Sequence, residues 1–292
     1  MKYGFPPNLR AITLRRVLMI IGGLIAICLA AAIITVVVRV PSNERDWSTD
    51  QAVLPYAEFA GDAVTIRNVR NFSYSSRDEY TPHYYDKTYD LSAIQSVDYI
   101  VEPLASVAVA HTFLSFGFEN GDQVAISIEI RKEKGEEFSP FRALLDEYEL
   151  MYVIVDERDT IRLRAIHRDN PVYLYPANVP REALRPLFVD MLMRANQLKD
   201  RPEFYNTLTN TCTTNIADHI NKLSPNRVPW DFRILLPLDS DAFAYELGLI
   251  DTSLPFEEMR QKHLINDFVR LYETDPRFSV RIREAQRKVL AQ

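Results

Sequence analysis

An α+β fold is predicted by three features of the chain. Residues 106–118 and 123–131 are apolar, alternating runs on either side of "ENGD", whose Asn-Gly signals a β-hairpin. Residues 180–200 set Leu184, Leu187, Phe188, Met191 and Leu192 at helical spacing, which gives an amphipathic helix. A polar threonine and asparagine cluster, "YNTLTNTCTTNI", opens a further helix from Cys212 to about Leu223. The expected architecture is an antiparallel sheet packed against that helix, after one N-terminal transmembrane helix.

The elements follow in order. Residues 17–38 are 22 residues without a charge. At about 1.5 Å per residue such a helix crosses a bilayer core of roughly 30 Å. Lys2, Arg10, Arg15 and Arg16 precede it and no acidic residue does, so the N-terminus (1–16) is placed in the cytoplasm and the main domain outside. The stretch exceeds the ~7–15 residues of a signal-peptide core, so it reads as an uncleaved single-pass anchor in a bacterial inner membrane. Cys28 falls inside it as an apolar side chain. Residues 39–59 form a juxtamembrane connector, 60–230 the main domain and 231–292 a helical C-terminal extension.

Within the main domain, 62–74 reads as strand, 80–90 as extended or irregular, and 97–104 and 150–158 as strands. Residues 140–147 read as a short helix and 171–176 as extended. The pattern of 160–167, "TIRLRAIH", fits helix or strand. On strand 123–131, Val124, Ile126, Ile128 and Ile130 face one way, and Ala125, Ser127, Glu129 and Arg131 the other. Further helices are expected near 240–247 and 256–272.

Composition excludes several functions. The net charge of −6 gives no basic excess for nucleic acid. Eight glycines leave no glycine-rich phosphate loop, and the five histidines are dispersed, so no metal or other cofactor is expected. Two cysteines are present, and outside the anchor Cys212 stands alone. A lone thiol in an oxidising compartment is either buried and inert or a nucleophile. Its place in the first turn of a helix favours the thiolate.

Five histidines could serve it as base. His219 is seven residues on, roughly 10 Å along the helix axis and too far for a hydrogen bond. His167 and His263 lie among charged residues and read as solvated; His83 sits in an aromatic loop. His111 interrupts an apolar strand. Whether Glu129 stands across from it depends on the hairpin. An odd-length loop pairs His111 with Glu129, and a plain two-residue turn pairs it with Ile130. Ser127 is the next polar residue on the Glu129 face.

"YNTLTNTCTTNI", "AHTFLSFGF", "ISIEIRKEKGE" and "YTPHYYDKTYDL" together resemble the Lnb N-terminal periplasmic domain family over roughly 60–230. The resemblance implies a fold related to permuted papain-like and NlpC-type hydrolases, with the histidine strand before the cysteine helix. It implies His111 as base and Cys212 as nucleophile. Glu129 is placed as orienter by analogy with papain-like enzymes, with Ser127 as the alternative; Tyr205 and Asn206 fit a role shaping the nucleophile pocket. Named members act in N-acylation of bacterial lipoproteins. The expected activity is therefore a periplasmic, membrane-anchored acyltransferase or amidase working through a thioester at Cys212. Lipid or lipoprotein is its expected substrate, and aromatics from 72–90 are expected to line an acyl groove. The alternatives are a cysteine peptidase acting on cell-wall peptides and a non-catalytic envelope binding module.

Overall fold

The structure is a computed structural model that describes residues 16–28, 30, 38–104, 109–235 and 237–291. The chain divides into two units, Met1–Pro41 and Ser42–Gln292. In the first, residues 16–28 are helical (α1), with exposed apolar side chains such as Leu18 and Ile20. Among the described residues, no helix is long and apolar enough to cross a membrane. The span expected over 17–38 falls partly outside the described residues.

The second unit is built on one sheet. Its main strands run β1 (Tyr56–Ala60), β2 (Ala63–Arg70), β9 (Tyr148–Asp156), β8 (Gln123–Arg131), β7 (Val109–Phe118), β6 (Ile94–Leu104) and β10 (Tyr173–Pro176). β5 (Tyr84–Asp90) joins β2, and β11 (Phe204–Tyr205) joins β9. β3 (Ser73–Tyr74) and β4 (Tyr80–Thr81) pair apart from it. The fold is α+β, but the sheet is mixed rather than wholly antiparallel. β2 meets β9 in parallel at Arg70↔Val155, after the chain has made strands β3 to β8.

The alternation of β8 divides two cores. Val124, Ile126 and Ile128 belong to one apolar layer, and Ala125 to the other. The first layer is covered by α4 (Arg181–Asp200), through Leu184, Leu187, Phe188, Met191 and Leu192, and by α5 (Cys212–Leu223) through Ile216. Burying each such side chain contributes about 1.5–3 kcal/mol. The second layer is covered by the stretch after β9. Asp156 caps α3 (Glu157–Arg162) by accepting from the Arg158 N–H, and the helix continues as a π turn over Leu163–His167. The segment that fitted helix or strand is thus helical.

Residues 231–292 enter both layers. Ala244, Ile250 and Met259 join the first; Ile265, Val269, Phe278 and Ile282 join the second. Arg283 on α10 (Phe278–Leu290) bonds the buried Asp98 at 2.6 Å and Glu157 at 2.8 Å. His263 is buried, which corrects its expected solvation. Its Nδ1–H donates to the Met259 carbonyl at 2.7 Å and its ring packs on Tyr175. α8 (Phe256–His263) lays one face on β10, which turns His263 inward, and its neighbour Arg260 is taken up by Tyr173 and the buried Asp241.

Candidate functional site

The β7–β8 hairpin fixes the first part of the site. Its register runs from Gly117↔Gln123 to Phe113↔Ser127. The Phe118 N–H donates to the Asp122 carbonyl, so residues 119–121 form a three-residue loop. Gly121 sits at φ +85°, a conformation that favours glycine and suits a three-residue loop. The odd loop puts residues 111 and 129 in register, and of the two possible pairings this is the one with Glu129. His111 Nε2 lies 2.7 Å from Ser127 Oγ, and Ser127 Oγ donates to Glu129 Oε1 at 2.8 Å. His111 Nε2 is 3.7 Å from Glu129 Oε1. Ser127 therefore stands between the imidazole and the carboxylate, and the partner in direct hydrogen bond with His111 is the serine.

The second part comes from α5. Thr211 is its N-cap: its hydroxyl accepts from the Thr214 N–H at 3.2 Å, and Thr214 Oγ1 accepts from the Thr211 N–H at 2.7 Å. This capping box sets Cys212 in the first turn, where the helix dipole favours an anion. Cys212 is a free, buried cysteine. Burial raises its pKa, but the hydrogen bond and charge of His111 outweigh that, and Thr112 adds backbone and side-chain hydrogen bonds; the result is about 7. Nε2 being engaged by Ser127, Nδ1 is left to serve the thiol. Thr112 Oγ1 also meets Thr213 Oγ1 at 3.2 Å, which pins β7 to α5 beside the sulfur.

Behind the histidine is an electrostatic frame that sequence reasoning did not find. Arg164, buried on the π turn, reaches Glu129 Oε1 at 3.1 Å and Glu102 Oε2 at 2.9 Å. Glu102 is directly across from His111 on β6 and also accepts from Asn170 at 2.8 Å. Burial pushes Glu129 up, yet Arg164, then His111 and Arg70, hold it well below the usual carboxylate range. Glu102 is lowered in the same way: burial opposes the shift, and Arg164, Arg168 and His111 overcome it. Both carboxylates are thus anionic around one fixed guanidinium. The only sequence signal was arginine in an otherwise apolar alternation at 160–167.

The remaining candidates separate. Tyr205 pairs with Tyr148, and its hydroxyl lies against the thiol and backbone of Cys212; burial, then that thiol, raises its pKa. Asn206 stands off the cluster. Its amide donates to Asp146 Oδ1 at 2.7 Å and its carbonyl accepts from the Leu208 N–H, so it holds the 206–210 loop. His219 is too far along α5 to meet the thiol, and it bonds Asp190 and Tyr152 instead. Among the described residues, no group of three or more metal-ligating side chains forms.

An apolar cavity of about 70 Å³ lies against α5, lined by Tyr99, Leu114, Thr213, Ile216, Phe243 and neighbours; it reaches Thr213, next to Cys212 in the chain, and Cys212 itself does not line it. The expected groove from 72–90 is corrected. Phe72 stacks on Tyr80 at 5.3 Å and meets Tyr84 edge-on at 5.2 Å. Phe72 N–H and the Arg70 guanidinium both bond the buried Asp159, so the segment caps that ion pair. Tyr89 packs on Phe118 in the first core.

A helix that presents a thiol to a strand histidine, on a mixed sheet, defines the class of chain. Residues 80–237 match the family described as the Lnb N-terminal periplasmic domain. The match spans just over half of the 292 residues, so the chain belongs to this family, and the family name supports a periplasmic location. No curated protein and no solved structure shows a significant match.

Proposed function

We propose that this protein is a cysteine-dependent acyltransferase or hydrolase that works through a thioester at Cys212. The observation that carries the reading is the Cys212 thiol at a helix N-terminus against His111, with its pKa brought down to about 7. The thiolate attacks an acyl carbonyl carbon, and the first-turn amides of α5 bind the oxyanion. His111, holding the thiol proton, gives it to the leaving group as the carbonyl re-forms, which leaves the thioester. It then takes a proton from an amine or water, whose attack on the thioester frees the thiol. Ser127 and Glu129 hold the imidazole in place.

In this reading the fold is a permuted papain-like arrangement, and 17–38 anchors the domain to the inner membrane. The apolar cavity beside Thr213 favours an acyl chain over a polar peptide. At about 70 Å³ it holds roughly two waters' volume, so a longer chain needs the helices after residue 228 to give way.

Intact mass of the full chain after incubation with phospholipid vesicles tests the proposal. A fatty-acyl adduct that Cys212→Ser abolishes supports it. Cleavage of muropeptides with no acyl adduct gives the peptidase reading instead. Neither activity, with Cys212 inert to iodoacetamide, leaves a binding module.

A further inference from the structure

A second string of polar side chains runs to the nucleophile's helix. His219 Nδ1 lies 2.5 Å from Asp190 Oδ2, and His219 Nε2 lies 2.8 Å from Tyr152 Oη. Tyr152 Oη donates to Asn215 Oδ1 at 3.0 Å. Asn215 Nδ2 donates to the Thr211 carbonyl at 2.8 Å and to Asn210 Oδ1 at 2.7 Å. Asn210 Nδ2 in turn donates to the Phe204 carbonyl. Tyr152, Asn215 and His219 are all buried. The string thus ends on Thr211, the N-cap of the helix that begins with Cys212.

Two carbonyl-type acceptors fix the Asn215 amide, so its Oδ1 faces Tyr152 and can only accept. Tyr152 has one proton. If that proton goes to Asn215, His219 must donate from Nε2, and the Asp190 carboxylate requires a proton on Nδ1 as well. That is the imidazolium. If His219 is neutral, Asp190 keeps the Nδ1 proton, Nε2 becomes an acceptor, and Tyr152 must turn its proton to His219. Asn215 Oδ1 then loses its donor while Asn215 still holds Thr211.

Resting on Cys212 as nucleophile, we infer that Tyr152 is a positioning residue for Cys212, and that its single proton is directed to Asn215 or away from it by the protonation state of His219. Charged and titratable groups face this histidine from three elements. Asp190 and Arg194 come from α4, Lys222 and Asp218 from α5, and Tyr152 from β9. Arg194 is held by Glu203 at 2.6 Å, and its charge lies near Tyr152. Lys222 bonds Asp190 at 3.1 Å. Burial pulls the His219 pKa below its ordinary value and Asp190 opposes this. The toggle therefore falls on the acidic side of neutrality: the Asn215 contact is made at low pH and released above it.

The test uses the full chain in detergent micelles, with ¹⁵N-labelled histidine and asparagine. In the wild type, the side-chain amide resonance of Asn215 shifts with pH at the midpoint at which the His219 ring nitrogens titrate. In Tyr152→Phe, His219 still titrates against Asp190 but Asn215 stops following it, and iodoacetamide alkylation of Cys212 slows about threefold or more below that midpoint. His219→Gln removes both titrations. An Asn215 resonance that does not move in the wild type, or that still follows His219 in Tyr152→Phe, overturns the inference. So does unchanged alkylation at low pH in Tyr152→Phe. These readouts do not depend on acyl transfer, so their failure is separate from failure of the proposed activity. Thermal unfolding of Tyr152→Phe, with a second variant Asn215→Asp, separates loss of positioning from loss of fold: Asn215→Asp retains Oδ1 but loses the Nδ2 donors, and the inference requires it to slow alkylation at every pH.

Discussion

Two histidines serve one helix, and they show how differently sequence distance and spatial distance count. His219 is seven residues from Cys212 on the same helix, yet its ring is directed to Asp190 and Tyr152. His111 is about a hundred residues away and meets the thiol. The His111 string leads through Ser127 and Glu129 to the Arg164 guanidinium, which Glu102 also holds. The His219 string ends on a helix cap: Tyr152, Asn215, Thr211. The first fixes charge around the imidazole, and the second fixes the backbone that carries the sulfur. A helix binds its i+7 residue to its own axis, whereas a strand can bring a distant side chain to the helix's end.

The largest effect that separates the two strings is expected at His111. His111→Ala should lower any acyl transfer by about 10²–10⁴-fold, the usual contribution of a general base. It should also move the alkylation midpoint of Cys212 up from about 7 toward the ~8.5 of a free thiol. His219→Gln should leave that midpoint near its wild-type value. Alkylation rates across pH check both. If His219→Gln moves the midpoint as far as His111→Ala does, the division of labour fails.

Next comes Arg164. It lies between two carboxylates, and its side chain is only 2 % exposed. Arg164→Met leaves the buried Glu102 and the half-buried Glu129 without their shared cation, which should cost about 3–5 kcal/mol. Denaturant unfolding checks it. The corresponding cation of the other string, Lys222, has a 55 % exposed side chain, and Lys222→Ala should stay within about 0.5 kcal/mol.

A smaller effect distinguishes members within the His111 string. Ser127 is in direct hydrogen bond with the imidazole and Glu129 acts mainly through it. Ser127→Ala should reduce turnover by about tenfold, and Glu129→Gln by less, since one neutral hydrogen bond is worth about 1 kcal/mol. Steady-state rates in the two single variants and the double variant decide the order. A Glu129→Gln loss that exceeds the Ser127→Ala loss would return the orienting role to the carboxylate.

What was readable in the sequence was local. The Asn-Gly turn, the stripe of Leu184, Leu187, Phe188, Met191 and Leu192, and the Thr211–Thr214 cap are short-range patterns, and each forms where the pattern stood. Loop length was not readable, because Asn-Gly suits two-residue and three-residue turns alike; the register of His111 hung on it. Arg164 was missed because "TIRLRAIH" alternates like a strand, while its partners at 102 and 129 lie on other strands. His263 looked solvated among charged neighbours, because helical periodicity over eight residues leaves the inward face of a short helix uncertain. The polar string from His219 to Thr211 combines residues from β9, α4 and α5, and only the packing of those elements brings it together.

The smallest expected effect is the pH at which each string begins to weaken. For His219, burial lowers the folded pKa below the ordinary 6.5, with Asp190 opposing. The unfolded chain then binds more protons as pH falls through about 6.5, so this histidine takes stability away on the acidic side. His263 is lowered by burial as well and adds to the same leg. Glu129 and Glu102 act later. Their folded pKa values lie below 4.5, so their contribution is whole above that pH and is lost as pH falls through the folded values. Melting temperature against pH should therefore fall in two legs. His219→Gln should flatten the upper leg only in part, because His263 remains, and leave the lower leg in place. Glu129→Gln should flatten the lower leg alone. An upper leg that persists at full size in His219→Gln would mean that the His219 string carries no proton-linked stability, and that its pairing with Asp190 holds the same proton folded and unfolded.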